Sequence, residues 1–171
     1  MDALKSKIRH VPDFPKAGIL FYDVTTLLRD AEGMKLAIDS LTTPFVERRI
    51  DLVVGIESRG FILGAAVADR MNVGFVPVRK LGKLPAETVK ATYALEYGTD
   101  SLEMHRDAIV GGQRILIVDD LLATGGTAAA TVKLVQEVGG QVEALAFLIE
   151  LVGLNGRERL TGHEVYPVLK Y

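Results

Sequence analysis

The chain predicts an α/β fold: a Rossmann-like, open and mainly parallel sheet with helices on both faces. Three observations lead there. Strand-like and helix-like segments alternate along the chain, the pattern that crossover helices impose on a parallel sheet. Residues 115–118 form an unbroken apolar run, as a strand covered on both faces requires. That run leads into two acids, a glycine-rich turn and an alanine-rich helix, and open α/β sheets place their ligands at the carboxyl ends of their strands.

Residues 1–10 are polar and helix-like, with no apolar signal core. Met34, Ile38, Leu41 and Phe45 recur at helical spacing, and Pro44 disturbs the end of that helix. Residues 51–56 read as a strand, 60–70 as the helix after it, and 75–79 as the next strand. Residues 80–106 break the pattern with glycine, proline, many charges, Tyr93, Tyr97 and His105. Long irregular segments in compact domains are lids, binding loops or disorder. With a turn expected over Gly98-Thr-Asp-Ser101, this one reads as a flexible two-stranded hairpin, and the residues alone do not decide between a working lid and a solvated hairpin. Residues 127–138 form the helix after the acidic motif, stopped by Gly139 and Gly140, and 141–151 return as a long apolar strand. No linker or repeat interrupts the series, so a single domain over residues 1–171 is expected.

Composition narrows the function classes. A net charge of −2 gives no electrostatic footprint for nucleic acid. There is no cysteine, which removes disulfides and thiolate metal sites. No apolar run is long enough to span a bilayer, so a cytoplasmic protein without membrane partners is expected.

The chemistry concentrates in Ile115-Leu-Ile-Val-Asp-Asp-Leu-Leu-Ala-Thr-Gly-Gly-Thr127. Glycines let backbone N–H groups approach an anion, the threonine hydroxyls add donors, and the helix amino terminus favours negative charge. Asp119 and Asp120 stand beside this nest, which suits a ligand carrying a phosphate together with a diol or a metal. Each feature alone has a bland reading, as a helix cap or a solvated turn; their order over thirteen residues favours the phosphorylated sugar. Two better-known phosphate motifs are absent. Gly55-Ile-Glu-Ser-Arg-Gly60 has P-loop glycine spacing, but Phe61 and Ile62 replace the lysine and hydroxyl, and no Gly-x-Gly-x-x-Gly follows a strand. Glu57-Ser58-Arg59-Gly60, between a strand and a helix, offers a second anion nest.

The thirteen-residue segment resembles the phosphoribosyl pyrophosphate (PRPP) motif of type I phosphoribosyltransferases. The rest of the chain is similar to the adenine-using branch of that family, through Asp13-Phe-Pro-Lys-Ala-Gly-Ile-Leu-Phe-Tyr-Asp23, Gly55-Ile-Glu-Ser-Arg-Gly-Phe61, Arg79-Lys-Leu-Gly-Lys-Leu-Pro85 and Tyr93-Ala-Leu-Glu-Tyr-Gly98. The resemblance implies the type I phosphoribosyltransferase fold, with a hood over residues 1–30 and a flexible catalytic loop over 80–106. It implies transfer of the 5-phosphoribosyl group from PRPP to adenine, magnesium as cofactor held mainly through PRPP with no protein metal ligand, and a homodimer.

Roles follow from the same resemblance. Ala123, Thr124, Gly125, Gly126 and Thr127 would hold the 5′-phosphate, and Asp119 and Asp120 the ribose hydroxyls and the developing positive charge. Ser58, Arg59, Arg79 and Lys83 would meet pyrophosphate. Leu20 and Tyr22 would pair with the edge of adenine through their backbones, and Leu151 would pack on its face. Many relatives carry arginine or lysine at the position of Tyr22, which leaves no side-chain role there. Glu96 would serve as the acid or base for the purine, and Tyr97 would order the closed loop. Relatives that use 6-oxopurines carry an aspartate where this chain has Ala123, which argues against hypoxanthine or guanine. The rivals are a xanthine-using relative and a PRPP-sensing regulator of nucleic acid; the first departs from the Ala-Thr-Gly-Gly-Thr motif, and the second needs a basic face or an added domain.

Overall fold

The computed structural model describes residues 2–94 and 99–171. In chain order the elements are α1 (Asp2–Lys5), β1 (Arg9–Pro12), β2 (Leu20–Asp23), α2 (Thr25–Arg29), α3 (Ala31–Thr42), β3 (Leu52–Ile56), α4 (Arg59–Met71), β4 (Gly74–Lys80), β5 (Thr88–Ala94), β6 (Thr99–His105), β7 (Arg114–Leu122), α5 (Gly126–Glu137), β8 (Gln141–Glu150) and β9 (Val165–Lys170). Short 3-10 turns occupy Thr43–Phe45, Val152–Leu154 and Gly156–Leu160.

Period-two burial along β7 sets the layers. Ile115 and Ile117 pack with Val54, Ile56, Leu134, Val135, Leu145 and Phe147 on the α5 side. Leu116 and Val118 pack with Leu41, Val53, Leu63, Val67, Ala146 and Leu148 on the side of α3 and α4. Neighbouring residues of one strand thus feed opposite cores, which is why the run is apolar without alternation.

The main sheet has the order β5-β6-β4-β3-β7-β8-β9. The five strands from β4 to β9 pair in parallel, and β6 is antiparallel to β4. From β3 the chain winds one way through α4 to β4; from β7 it winds the other way through α5 to β8. The order therefore reverses between β3 and β7, and a cleft opens beyond their carboxyl ends.

Three expectations need correction. The polar amino terminus is helical only to Lys5; Arg9–Pro12 is a strand, antiparallel to Leu20–Asp23 with His10 opposite Tyr22. The strand over 115–118 runs on to Leu122 because β8 continues to pair with it through Leu122↔Glu150, so both acids lie inside the strand. The two-stranded hairpin expected within 80–106 is present: β5 and β6 pair over seven residues each, and β6 also joins β4 through Arg79↔Glu103 and Lys80↔Leu102. Residues 99–101 accordingly belong to β6 and not to a turn. The expected helix around Pro44 does change there, from α3 to the 3-10 turn Thr43–Phe45.

Candidate active site

Two helices begin side by side at the strand-order reversal. β7 ends at Leu122, and α5 starts at Gly126 after Gly125, whose φ of 81° is left-handed. That conformation suits glycine. The hydroxyls of Thr124 and Thr127 have no hydrogen-bond partner among the described residues, and the first amides of a helix have no carbonyl one turn back to meet. With Asp119, Leu121, Leu122 and Phe147 the loop lines a cavity of about 90 Å³. The lining is small side chains and unspent donors, the composition of an anion nest.

The loop is held from behind by backbone contact. A Cβ on Gly125 would lie 2.3 Å from the carbonyl oxygen of Gly156, and a Cβ on Gly156 would lie 2.3 Å from that of Ala123. In front, a Cβ on Gly126 would meet the Tyr93 ring at 3.1 Å. The far end of β5, at Tyr93, therefore already touches the nest.

β3 ends at Ile56, and α4 begins at Arg59 with exposed Ser58 as its cap. The Glu57–Ser58 peptide is cis. Glu57 accepts hydrogen bonds from Arg79 Nε at 3.1 Å and from the Lys80 amide at 3.1 Å. Arg79 also donates from Nη1 to the Lys83 carbonyl at 3.2 Å. Glu57 thus links the start of α4, with Ser58 and Arg59, to Arg79, which in turn holds the Lys83 carbonyl.

The acids behave differently from one another. Asp120 is buried and forms an ion pair with Arg59 Nε. Burial opposes the Arg59 charge, but the Asp120 carboxylate outweighs it and raises the Arg59 pKa. Asp119 lines the cavity and accepts the Asp120 amide at 2.8 Å; it forms no ion pair among the described residues, although the Arg59 charge acts on it from nearby. Burial first, and then the neighbouring Asp120 charge, push its carboxyl well above the usual carboxylate range. Gly60 makes room for it: a Cβ there would lie 2.7 Å from Asp119 Oδ1. The sequence expectation treated Arg59 and Asp120 as contacts to different parts of a ligand, whereas the structure pairs them.

On the hood side, Tyr22 packs against Tyr171 with ring centres 4.2 Å apart and planes tilted by 40°, and meets His10 edge-on at 5.1 Å. Leu20 is exposed. Asp23 is held down to about 2 by the Thr25 hydroxyl, then the Thr25 amide and Arg9. Leu151 follows β8, half-buried, with its amide donating to the Leu122 carbonyl at 2.9 Å. Glu96 and Tyr97 lie outside the described residues.

Sequence reasoning passed over two groups. Glu103 is 3% exposed in β6 and accepts from the amides of Lys83 and Leu84 at 2.9 and 3.1 Å, so it fixes the loop that carries Lys83. The acid between Leu102 and Met104 was the available signal, since a carboxylate amid core residues needs donors. Gly156 carried no readable signal, because its role is a contact across thirty residues.

Residues 24–163 match the family described as phosphoribosyl transferase domain, the class that a threonine–glycine nest beside paired acids indicates. An adenine phosphoribosyltransferase of Solibacter usitatus is 60% identical over 171 residues, covering 100% of this chain and 99% of the relative. The solved adenine phosphoribosyltransferase of Thermoanaerobacter pseudethanolicus is 52% identical with a TM-score of 0.97, covering 99% of each chain. That of Saccharomyces cerevisiae, in complex with an imino-altritol bisphosphate and adenine, is 42% identical with a TM-score of 0.93, covering 98% of this chain and 97% of its own. The chain belongs to the adenine phosphoribosyltransferase family.

Proposed function

We propose that this protein works in purine salvage, transferring the 5-phosphoribosyl group of PRPP to adenine to give AMP and pyrophosphate. The observation that carries the reading is the 123–127 nest beside Asp119 and Asp120, with alanine and not a carboxylate at its first position. The bond from carbon 1 of ribose to pyrophosphate breaks as the bond to the purine nitrogen forms, through an oxocarbenium-like transition state.

Each step falls to a group in the cleft. Residues 123–127 hold the 5′-phosphate through backbone donors and the Thr124 and Thr127 hydroxyls. Asp119 and Asp120 take the ribose hydroxyls and favour the developing cation. Ser58, Arg59, Arg79 and Lys83 receive the departing pyrophosphate, and the Arg59–Asp120 pair links leaving group to ribose. Leu20 and Tyr22 present backbone groups to adenine, Leu151 packs on its face, and Glu96 exchanges the proton of its imidazole ring while Tyr97 orders the loop that excludes water.

Magnesium, when bound, neutralises charge on the pyrophosphate. A hard ion held through substrate oxygens and water would find the Asp119 and Asp120 carboxylates nearby. The protein works as one domain, as a homodimer in the cytoplasm. Exposed apolar side chains such as Val46, Ile62 and Leu81 give a second copy something to cover, and no helix is long and apolar enough to cross a membrane.

A spectrophotometric assay with PRPP, magnesium and each of adenine, hypoxanthine, guanine and xanthine tests this. AMP from adenine alone is expected. No turnover with any base, alongside intact PRPP binding, would replace the enzyme by a PRPP-sensing protein. Sedimentation of the purified protein reads the dimer directly.

A further inference from the structure

The geometry points to a positioning pair outside the cleft: Arg157 and Glu150 clamp the 155–157 backbone against the phosphate loop, and so set the affinity of that loop for the ribose 5-phosphate end of PRPP. This rests on reading 123–127 as the 5′-phosphate site. Neither residue lines the cavity, and neither belongs to any motif quoted above.

Glu150 is the last residue of β8 and is buried. A carboxylate there needs a partner, and Arg157 supplies one in a forked arrangement: Nε donates to one oxygen and Nη2 to the other at 2.9 Å. Nη1 donates onward to the Val165 carbonyl at 3.1 Å. The chain from 150 to 157 is thus clipped into a closed loop whose two ends are tied to the sheet. Paired charges of this kind hold geometry well, because opening them strands a buried carboxylate.

The tip of that loop is Gly156, the residue whose carbonyl faces Gly125 and whose Cα side faces the Ala123 carbonyl. At its start, the Leu151 amide holds the Leu122 carbonyl, immediately before the nest. The nest is therefore stapled at both ends by one loop, and Arg157 is the group that closes it. A nest built from backbone N–H groups has no side chains to adapt; its affinity depends on the loop being held in one conformation before the phosphate arrives. A loss of the clamp should appear in binding of the phosphate end more than in the chemical step.

Titration of ribose 5-phosphate by calorimetry, with steady-state KM and kcat, tests this on wild type, Arg157→Ala, Arg157→Lys, Glu150→Gln and, as a direct probe of the nest, Thr127→Ala. Arg157→Ala should raise KM for PRPP and weaken ribose 5-phosphate about tenfold, the scale of a displaced binding group, while the KM for adenine stays near wild type. Arg157→Lys, which keeps charge but loses the fork, should fall between. If Arg157→Ala does not fold, Arg157→Lys and Glu150→Gln carry the test, each with a smaller rise in KM for PRPP. A fall in kcat with KM and ribose 5-phosphate affinity unchanged would mark a general structural role and overturn the proposal. Weakening by Thr127→Ala alone would overturn it too, yet leave the phosphate site standing. No weakening by Thr127→Ala would remove the phosphate site and the proposal with it.

Discussion

The two anion loops of the cleft begin helices at neighbouring strands, yet they are built on opposite principles. The β7–α5 loop offers backbone: glycines, threonine hydroxyls without a partner among the described residues, and a carbonyl wall behind it. The β3–α4 loop offers charge, and that charge is already engaged, Arg59 with Asp120 and Arg79 with Glu57. A backbone nest recognises a ligand end that stays in place through the reaction. Mobile guanidinium groups, which can exchange a protein carboxylate for a ligand oxygen, suit an end that must leave. Under the proposed function, holding and releasing would be divided between two helix starts at adjacent strands.

The largest expected effect comes from removing what the two loops share. Asp119→Asn combined with Asp120→Asn should cost turnover on the order of 10²-fold or more and weaken PRPP, measured by steady-state kinetics and calorimetry. An unaltered PRPP titration would take the ribose away from these acids. Next comes the contrast between glycines. Gly125→Ala should destabilise by about 1–3 kcal/mol through its left-handed backbone alone, before the overlap with the Gly156 carbonyl, and should raise KM for PRPP. Gly60→Ala needs no left-handed backbone and meets Asp119 Oδ1 at 2.7 Å and the Val118 carbonyl oxygen at 3.1 Å, so it should cost less stability than Gly125→Ala and lose rate by displacing Asp119. Identical profiles for the two variants would erase the distinction between a rigid nest and a yielding one.

A smaller effect isolates the charged loop. Glu57→Gln keeps an oxygen to accept from Arg79 or the Lys80 amide but loses the ion pair. Partly exposed pairs contribute about 0.2–1 kcal/mol, so product inhibition by pyrophosphate should shift no more than severalfold. Ribose 5-phosphate binding should not move; if it does, the two loops are not separable.

The sequence carried the fold because helix and strand periods are local: the apolar run before Asp119 and the glycines after it needed no partner to be read. It carried the backbone nest for the same reason. It did not carry the pairing of Arg59 with Asp120, across sixty-one positions, since any of several nearby acids could have met that guanidinium. It also carried the two-stranded hairpin within 80–106, but not the joining of that hairpin to the main sheet, because the pairing of β4 with β6 at Arg79 and Glu103 is a long-range contact that neither strand's composition shows. The contact of Gly156 with Gly125 left no trace at all, as one small residue in a turn looks like any other.

The smallest effect is also the one where stability and function should part. Asp119 forms no ion pair among the described residues, and burial and then the Asp120 charge raise its carboxyl well above the usual range against the smaller opposing pull of Arg59. At pH values below the ordinary carboxylate pKa, folded and unfolded chains both hold the proton, and Asp119 costs nothing. As pH rises past that ordinary value the unfolded chain ionises first, so stability falls until the folded carboxyl ionises as well, and the cost then stays. Asp119→Asn has no proton to lose, while its amide oxygen can still accept from the Asp120 amide. Its melting temperature should therefore match wild type in acid and exceed it near neutrality, by roughly 2–4 °C for each kcal/mol recovered. Activity should run the other way: PRPP binding by wild type should weaken as pH falls and Asp119 protonates, whereas the asparagine variant binds poorly throughout with a flat profile. A variant no more stable than wild type near neutrality would mean that Asp119 bears no ionisation cost in the empty cleft, and the acid beside the nest would then be no more strained than the arginine-paired one beside it.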